Sequence, residues 1–107
     1  MKKLCVLLLL TVSLFVSAKE YTFSPGDVQA MKQLLGSGNL QPGDAVVLKD
    51  GTYHNLEEIH FTGKGVPGKP IVWRAENPGK AVISGKLRLK IYGEYLQLED
   101  LFFYKAW

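Results

Sequence analysis

The sequence predicts an all-β chain wound as a parallel β-helix, holding its first rungs only, with an α-helix capping the N-terminal end. Three observations carry this. After Asn39 the chain is a series of short apolar strands broken by Gly, Pro and Asn, none long enough to form a core alone. Val46, Ile71 and Leu96 lie 25 residues apart, as do Leu48, Trp73 and Leu98, and Lys49, Arg74 and Glu99. Three columns with one period, two of them apolar, mark a solenoid. A second pairing, Phe61-Thr62-Gly63 with Ile83-Ser84-Gly85, has a spacing of 22. Three strands per turn of roughly 22–25 residues would stack like side chains over like. An antiparallel sandwich or barrel would instead need tight hairpins, and Asp50-Gly51 is the single Asn-Gly or Asp-Gly dipeptide in the chain.

Residues 1–18 read as a secretory signal peptide. Lys2 and Lys3 give a basic start, Leu4 to Val16 an apolar run, and Ser17-Ala18 the small residues of a cleavage site. The run is shorter than the roughly 20 residues of a membrane-spanning helix. Cys5 sits at its start, not after it, so a lipoprotein anchor is excluded. Cleavage after Ala18 implies export to the periplasm or outside the cell. It leaves a mature chain without cysteine, hence without disulfides. The formal charge is +3, from 13 Lys and Arg against 10 Asp and Glu; losing Lys2 and Lys3 leaves +1. Nothing in that balance points to nucleic acid, and no membrane association is expected after cleavage.

Residues 19–40 form a lead-in and the capping helix. Ser24 suits an N-cap, Pro25 the first helical position, and Asp27 the positive end of the helix dipole. Val28, Met31, Leu34 and Leu35 make one apolar stripe, and Gly36-Ser37-Gly38-Asn39 stops it. A solenoid must cover its first rung, and the segment from Pro25 to Leu35 serves. Residues 41–107 then supply strands at Ala45 to Lys49, Ile59 to Phe61, Ile71 to Ala75, Ala81 to Ser84, Leu87 to Ile91 and Tyr95 to Leu98. The last bends at Glu99-Asp100 into Leu101 to Tyr104. The chain finishes on strand residues, Leu101 to Trp107, without a polar cap, and reads as the front of a longer solenoid.

Pro42-Gly43-Asp44, Lys49-Asp50-Gly51-Thr52-Tyr53, Lys69-Pro70-Ile71, Arg74-Ala75-Glu76-Asn77-Pro78-Gly79-Lys80 and Leu98-Glu99-Asp100-Leu101-Phe102-Phe103 occur in that order. Together they resemble the N-terminal region of the polysaccharide lyases that include chondroitinase B and the alginate (poly-mannuronate) lyases. The resemblance runs from about Ser24 to Phe103. It implies a right-handed parallel β-helix acting on an anionic uronate polysaccharide, alginate or dermatan/chondroitin sulfate, by β-elimination. It further implies that calcium acidifies the C5 proton, a lysine removes it and an arginine stabilises the charge. In that family these groups come from later rungs. No catalytic residue and no metal ligand is therefore assigned here, and calcium is expected only for the full-length parent. The other function class is a non-catalytic carbohydrate-binding or adhesin-like module.

The candidate binding residues are Lys86, Arg88 and Lys90. They alternate with Leu87, Leu89 and Ile91, so a strand would put three cations in a row facing a polyanion; the same row equally suits a solvated outer face. Lys49, Arg74 and Glu99 read as a surface column with partial charge pairing. His60 is expected to face solvent, and His54 and His60 lack a third ligand at metal-site spacing. Asp50, Glu57 and Glu58 lack calcium-loop spacing, and Asp50 reads as a turn residue. Tyr53, Trp73 and Tyr95 are aromatics that could stack on sugars, with Trp73 and Met31 fitting the core better.

Overall fold

The computed structural model describes residues 18–107; the stretch 1–18, read from the sequence as a signal peptide, lies outside this range except for Ala18. Within it are nine strands and one α-helix, which follows the first strand. They are β1 (Glu20–Phe23), α1 (Val28–Ser37), β2 (Ala45–Leu48), β3 (Gly51–His54), β4 (Glu57–Lys64), β5 (Ile71–Ala75), β6 (Ala81–Gly85), β7 (Leu87–Glu94), β8 (Leu96–Glu99) and β9 (Phe102–Ala106). They form three sheets: β1-β2-β5-β8, β3-β6-β9 and β4-β7. Every pairing between these strands is parallel. The chain visits the three sheets in turn and returns one strand further along, as a right-handed parallel β-helix does. Parallel neighbours need a long crossover, and here the other two sheets of each coil are that crossover.

The strands follow the alternation of their side chains. In β5, Ile71, Trp73 and Ala75 point inward and are fully buried, while Val72 and Arg74 are half-buried on the outer face. Strand β6 repeats the pattern with Ala81 and Ile83. The interior joins Val46, Leu48, Tyr53, Leu56, Ile59, Phe61, Ile71, Trp73 and Ile83 into one cluster. Phe61 and Trp73 meet edge to face, ring centres 6.2 Å apart.

The register differs from the sequence reading in two places. Ile71 and Trp73 do pair with Leu96 and Leu98, 25 residues on. Val46, however, pairs with Trp73 and Leu48 with Ala75, 27 residues on. Lys49 falls outside the strand, and Val47 takes its place beside Arg74. A two-residue slip leaves every inward side chain inward, so the apolar columns looked intact at the wrong spacing. The Phe61–Ile83 match joins strands of different sheets: Phe61 pairs with Ile91, and Tyr53 with Ile83.

The lead-in is also more than a lead-in. Tyr21 and Phe23 alternate inward on β1, which pairs with β2 from Glu20↔Ala45 to Phe23↔Leu48. Strand β3, in a segment where the sequence suggested no strand, is the first strand of the second sheet. The cap is where it was expected. Ser24 donates from its N–H and Oγ to Asp27 Oδ2 at 3.2 and 2.9 Å, which holds the Asp27 carboxyl below its ordinary value. A 3-10 turn (Pro25–Asp27) leads into α1, whose Met31 and Leu35 are fully buried. Pro25 abuts Gly51 of β3, Gly36 abuts His60 of β4, and Lys32 Nζ donates to the Leu56 carbonyl at 2.9 Å. The turn and helix thus take the places that strands of an earlier coil would fill. Gly38 ends the helix in the left-handed conformation, φ 77°.

Tyr53 is a structural residue, not a sugar platform. It is 1% exposed, and its hydroxyl lies 2.7 Å from the Lys49 carbonyl and 3.2 Å from that of Phe23. Burial, with help from the nearby Asp27 charge, pushes the phenol up to about 12. The folded chain therefore holds this proton where the unfolded chain, titrating near 10, has released it. The resulting stabilisation is complete below about pH 10 and falls as pH rises toward 12. Denaturant titrations across that range should show the fall, and Tyr53→Phe should flatten it while lowering stability at pH 7 by about 1 kcal/mol.

Candidate functional site

The chain leaves β3 through Asn55, which takes a left-handed conformation, φ 53°. One coil later Gly85 takes φ 82° at the equivalent corner. Asn55 Oδ1 lies over Gly85 and accepts the N–H of Lys86 at 2.8 Å, while the Lys86 carbonyl accepts from Glu57 N at 2.9 Å. Lys86 is therefore pinned at a corner, not carried on a strand. Arg88 and Lys90 do follow on the outer face of β7, opposite Glu58 and His60 of β4.

These three cations are not equivalent. Lys90 Nζ lies 2.9 Å from Glu58 Oε2. The hydrogen bond and the charge pairing hold the Glu58 carboxyl below its ordinary value and Lys90 above its own. His60 Nε2 approaches the other Glu58 oxygen at 3.7 Å and stacks on Tyr92 at 5.8 Å. Lys90 is thus engaged by its neighbour in an exposed ion pair. Lys86 and Arg88 line an open groove with Glu57, Glu58, Leu87 and Trp107. Trp107, 71% exposed, borders that groove, its N–H donating to the Gly85 carbonyl at 3.0 Å; nothing in the sequence placed a residue 21 positions away beside Lys86. A second groove, lined by Leu40, Pro42, Thr62, Lys64 and Tyr92 among others, is of similar size, about 550 against 560 Å³. Size does not choose between them; the first sets Lys86 and Arg88 beside Glu57 and Glu58, whereas the second carries the single charge of Lys64.

The remaining candidates separate. Arg74 pairs with Glu20 at 2.8 Å and lies in register with Glu99, so two members of the expected column hold and Lys49 does not. His54 Nδ1 is 2.9 Å from Ser84 Oγ. Asp50 accepts a hydrogen bond from Asn77 at 3.0 Å, tying two turns together. Tyr95 turns a corner with φ 53° and is half exposed. Among the described residues no group of three His, Cys, Asp or Glu side chains is placed to hold a metal ion. No helix among them is long and apolar enough to cross a membrane.

Residues 28–106 match the family model for chondroitinase B. A solved mannuronic acid specific polysaccharide family 6 lyase from human gut microbiota is 93% identical, with a TM-score of 0.83, over 83% of this chain and 20% of that one. The polysaccharide lyase Pedsa3628 of Pseudopedobacter saltans is 26% identical, TM-score 0.68, over 80% of this chain and 19% of its own. The family 6 alginate lyase AlyGC is 28% identical, TM-score 0.65, over 82% of this chain and 11% of its own. The chain thus spans a fifth or less of the length of these solved lyases. No curated protein matches.

Proposed function

The chain belongs to the chondroitinase B family of polysaccharide lyases, and from that premise we propose that it supplies the first coils of an exported lyase that cleaves mannuronate-containing alginate by β-elimination. The observation that carries the reading is the 93% identity to a mannuronic acid specific lyase across most of this chain. At that identity a change of substrate class would have to come from other coils.

In this reading the coils described here do two things. They close the end of the solenoid, through α1 and β1, and they offer Lys86 and Arg88 to the carboxylates of a polyuronate. The proton-abstracting base, the charge-stabilising arginine and any calcium site belong to coils outside this segment. The described residues do not fit a calcium site, so no step through the metal is derived for them. Exposed cations steer and orient a polyanion more than they bind it tightly.

The test uses the full gene product with polymannuronate, polyguluronate and dermatan sulfate in parallel, following the ultraviolet absorbance of the unsaturated product. Polymannuronate should be cleaved fastest. Cleavage of dermatan sulfate alone would overturn the substrate assignment, and binding without any cleavage would favour the carbohydrate-binding module.

In the same assay the double variant Lys86→Ala, Arg88→Ala should raise KM several-fold at low salt with kcat unchanged, the signature of lost uniform binding. The effect should shrink as salt rises. Lys90→Ala should change KM less, because Glu58 already engages that charge. An unchanged KM in the double variant would remove these residues from the site.

A further inference from the structure

Asp44 is the one buried charged residue in the core of the described chain, 4% exposed. Its Oδ2 accepts the N–H of Gln41 at 2.9 Å, and its Oδ1 accepts the N–H of Lys19 at 3.0 Å. Among the described residues no Lys, Arg or His side chain forms an ion pair with it. A buried carboxylate held by two neutral donors is costly, and a cation at one of those positions relieves the cost. The backbone nitrogen at one position is that of Lys19, the residue that follows Ala18.

We propose that the Ala18–Lys19 bond is a processing site, and that cutting it places the new α-ammonium of Lys19 in an ion pair with Asp44. A signal peptidase would hydrolyse the bond during export. The C–N bond breaks, water supplies the oxygen that completes the Ala18 carboxylate, and the Lys19 nitrogen leaves as an amine, protonated at neutral pH. The rest of Lys19 is already fixed, since its carbonyl accepts the Ala45 N–H at 2.9 Å at the entry to the β1–β2 ladder. The ammonium therefore forms where its counter-ion waits. Ala18 lies beside this corner: its Cβ is 3.3 Å from where a side chain at Gly43 would begin. The other charges nearby are the Lys19 side chain, the Glu20–Arg74 pair, and Lys69, whose carbonyl accepts from Gly43 N. The mature N-terminus thus becomes a latch holding the first strand to the solenoid. This rests on the export reading and is independent of the lyase assignment.

The test starts with the chain exported through its own leader in a bacterial host. Its intact mass should correspond to residues 19–107; a cut elsewhere overturns the proposal. The exported chain is then compared with one made without the leader, in which a retained initiator methionine precedes Lys19 and keeps its nitrogen an amide. The exported chain should melt several degrees higher, and Asp44→Asn in both should abolish the difference. A difference of equal size in the Asp44→Asn pair would overturn the latch. Should Asp44→Asn fail to fold, acylation rates decide. The α-amine of the exported chain should react several-fold more slowly than that of the leaderless chain, and equal rates would overturn the pairing.

Discussion

Replacing Gly93 by alanine should cost more than about 3 kcal/mol, enough to unfold a chain of this size or to separate β7 from β4. Two independent penalties combine. Gly93 has φ 142°, a conformation that residues with a Cβ rarely adopt. The added Cβ would also fall on the carbonyl oxygen of Gly63, with the Gly63 carbonyl carbon 2.9 Å and its nitrogen 3.2 Å away. Those atoms belong to the paired backbone of β4, in register with Gly93, so no flexible side chain can give way. A neighbouring position is also tight, though less so: a Cβ at Gly65 would meet the Tyr95 carbonyl at 2.6 Å. Gly26→Ala is the control, because nothing lies within 4 Å of its added carbon and its φ is ordinary. Soluble yield and urea unfolding should show the Gly93 variant lost and the Gly26 variant near wild type.

Trp73→Ala should destabilise by about 3–5 kcal/mol. The indole is fully buried, stacks between Val46 and Leu98 in the strand register, and meets Phe61 edge to face. Its removal empties the middle of the solenoid, where parallel strands above and below limit collapse. Trp73→Phe should cost distinctly less. It keeps an aromatic ring in the column, and it removes an indole N–H that has no hydrogen-bond partner, so part of the lost packing is offset. Fluorescence reports the same residue. Trp73 should emit as a buried indole and Trp107 as an exposed one, and unfolding should shift only the first.

How much of this was legible in the sequence depended on which physical rule wrote the signal. Inward and outward positions in β5 and β6 were legible, because a strand with a period of two advertises its buried face. The capping helix was legible for the same kind of reason, through its Met31–Leu35 stripe and its Ser24–Asp27 start. Register was less so. The β2–β5 spacing is two residues longer than the β5–β8 spacing, and a slip of two preserves every apolar alignment, so Val46 read as stacked on Ile71. Strand β1 is short and lies ahead of the helix; its Tyr21 and Phe23 alternate correctly, but four residues gain meaning only from the partner strand. The candidate site was legible as a row of cations and no further. That Glu58 pairs with Lys90, that Asn55 anchors Lys86 and that Trp107 joins the groove all depend on contacts between residues far apart in the chain. Asp44 stood in the sequence only as the end of the Pro42-Gly43-Asp44 motif, and its burial gives it another role.

The central claim is that coils of chain stack in parallel, in the register given above. Cross-linking tests it most directly. Parallel neighbours lie about 4.7–4.9 Å apart, inside the range of roughly 4.4–6.8 Å that a disulfide spans. In a chain with Cys5→Ser, cysteine pairs at Val72 and Gln97, and at Thr62 and Tyr92, occupy outer-face partners in register. Both pairs should oxidise to intramolecular disulfides, while a pair at Thr62 and Ser84, on different sheets, should not. Closure of the Thr62–Ser84 pair together with failure of the other two would contradict the architecture.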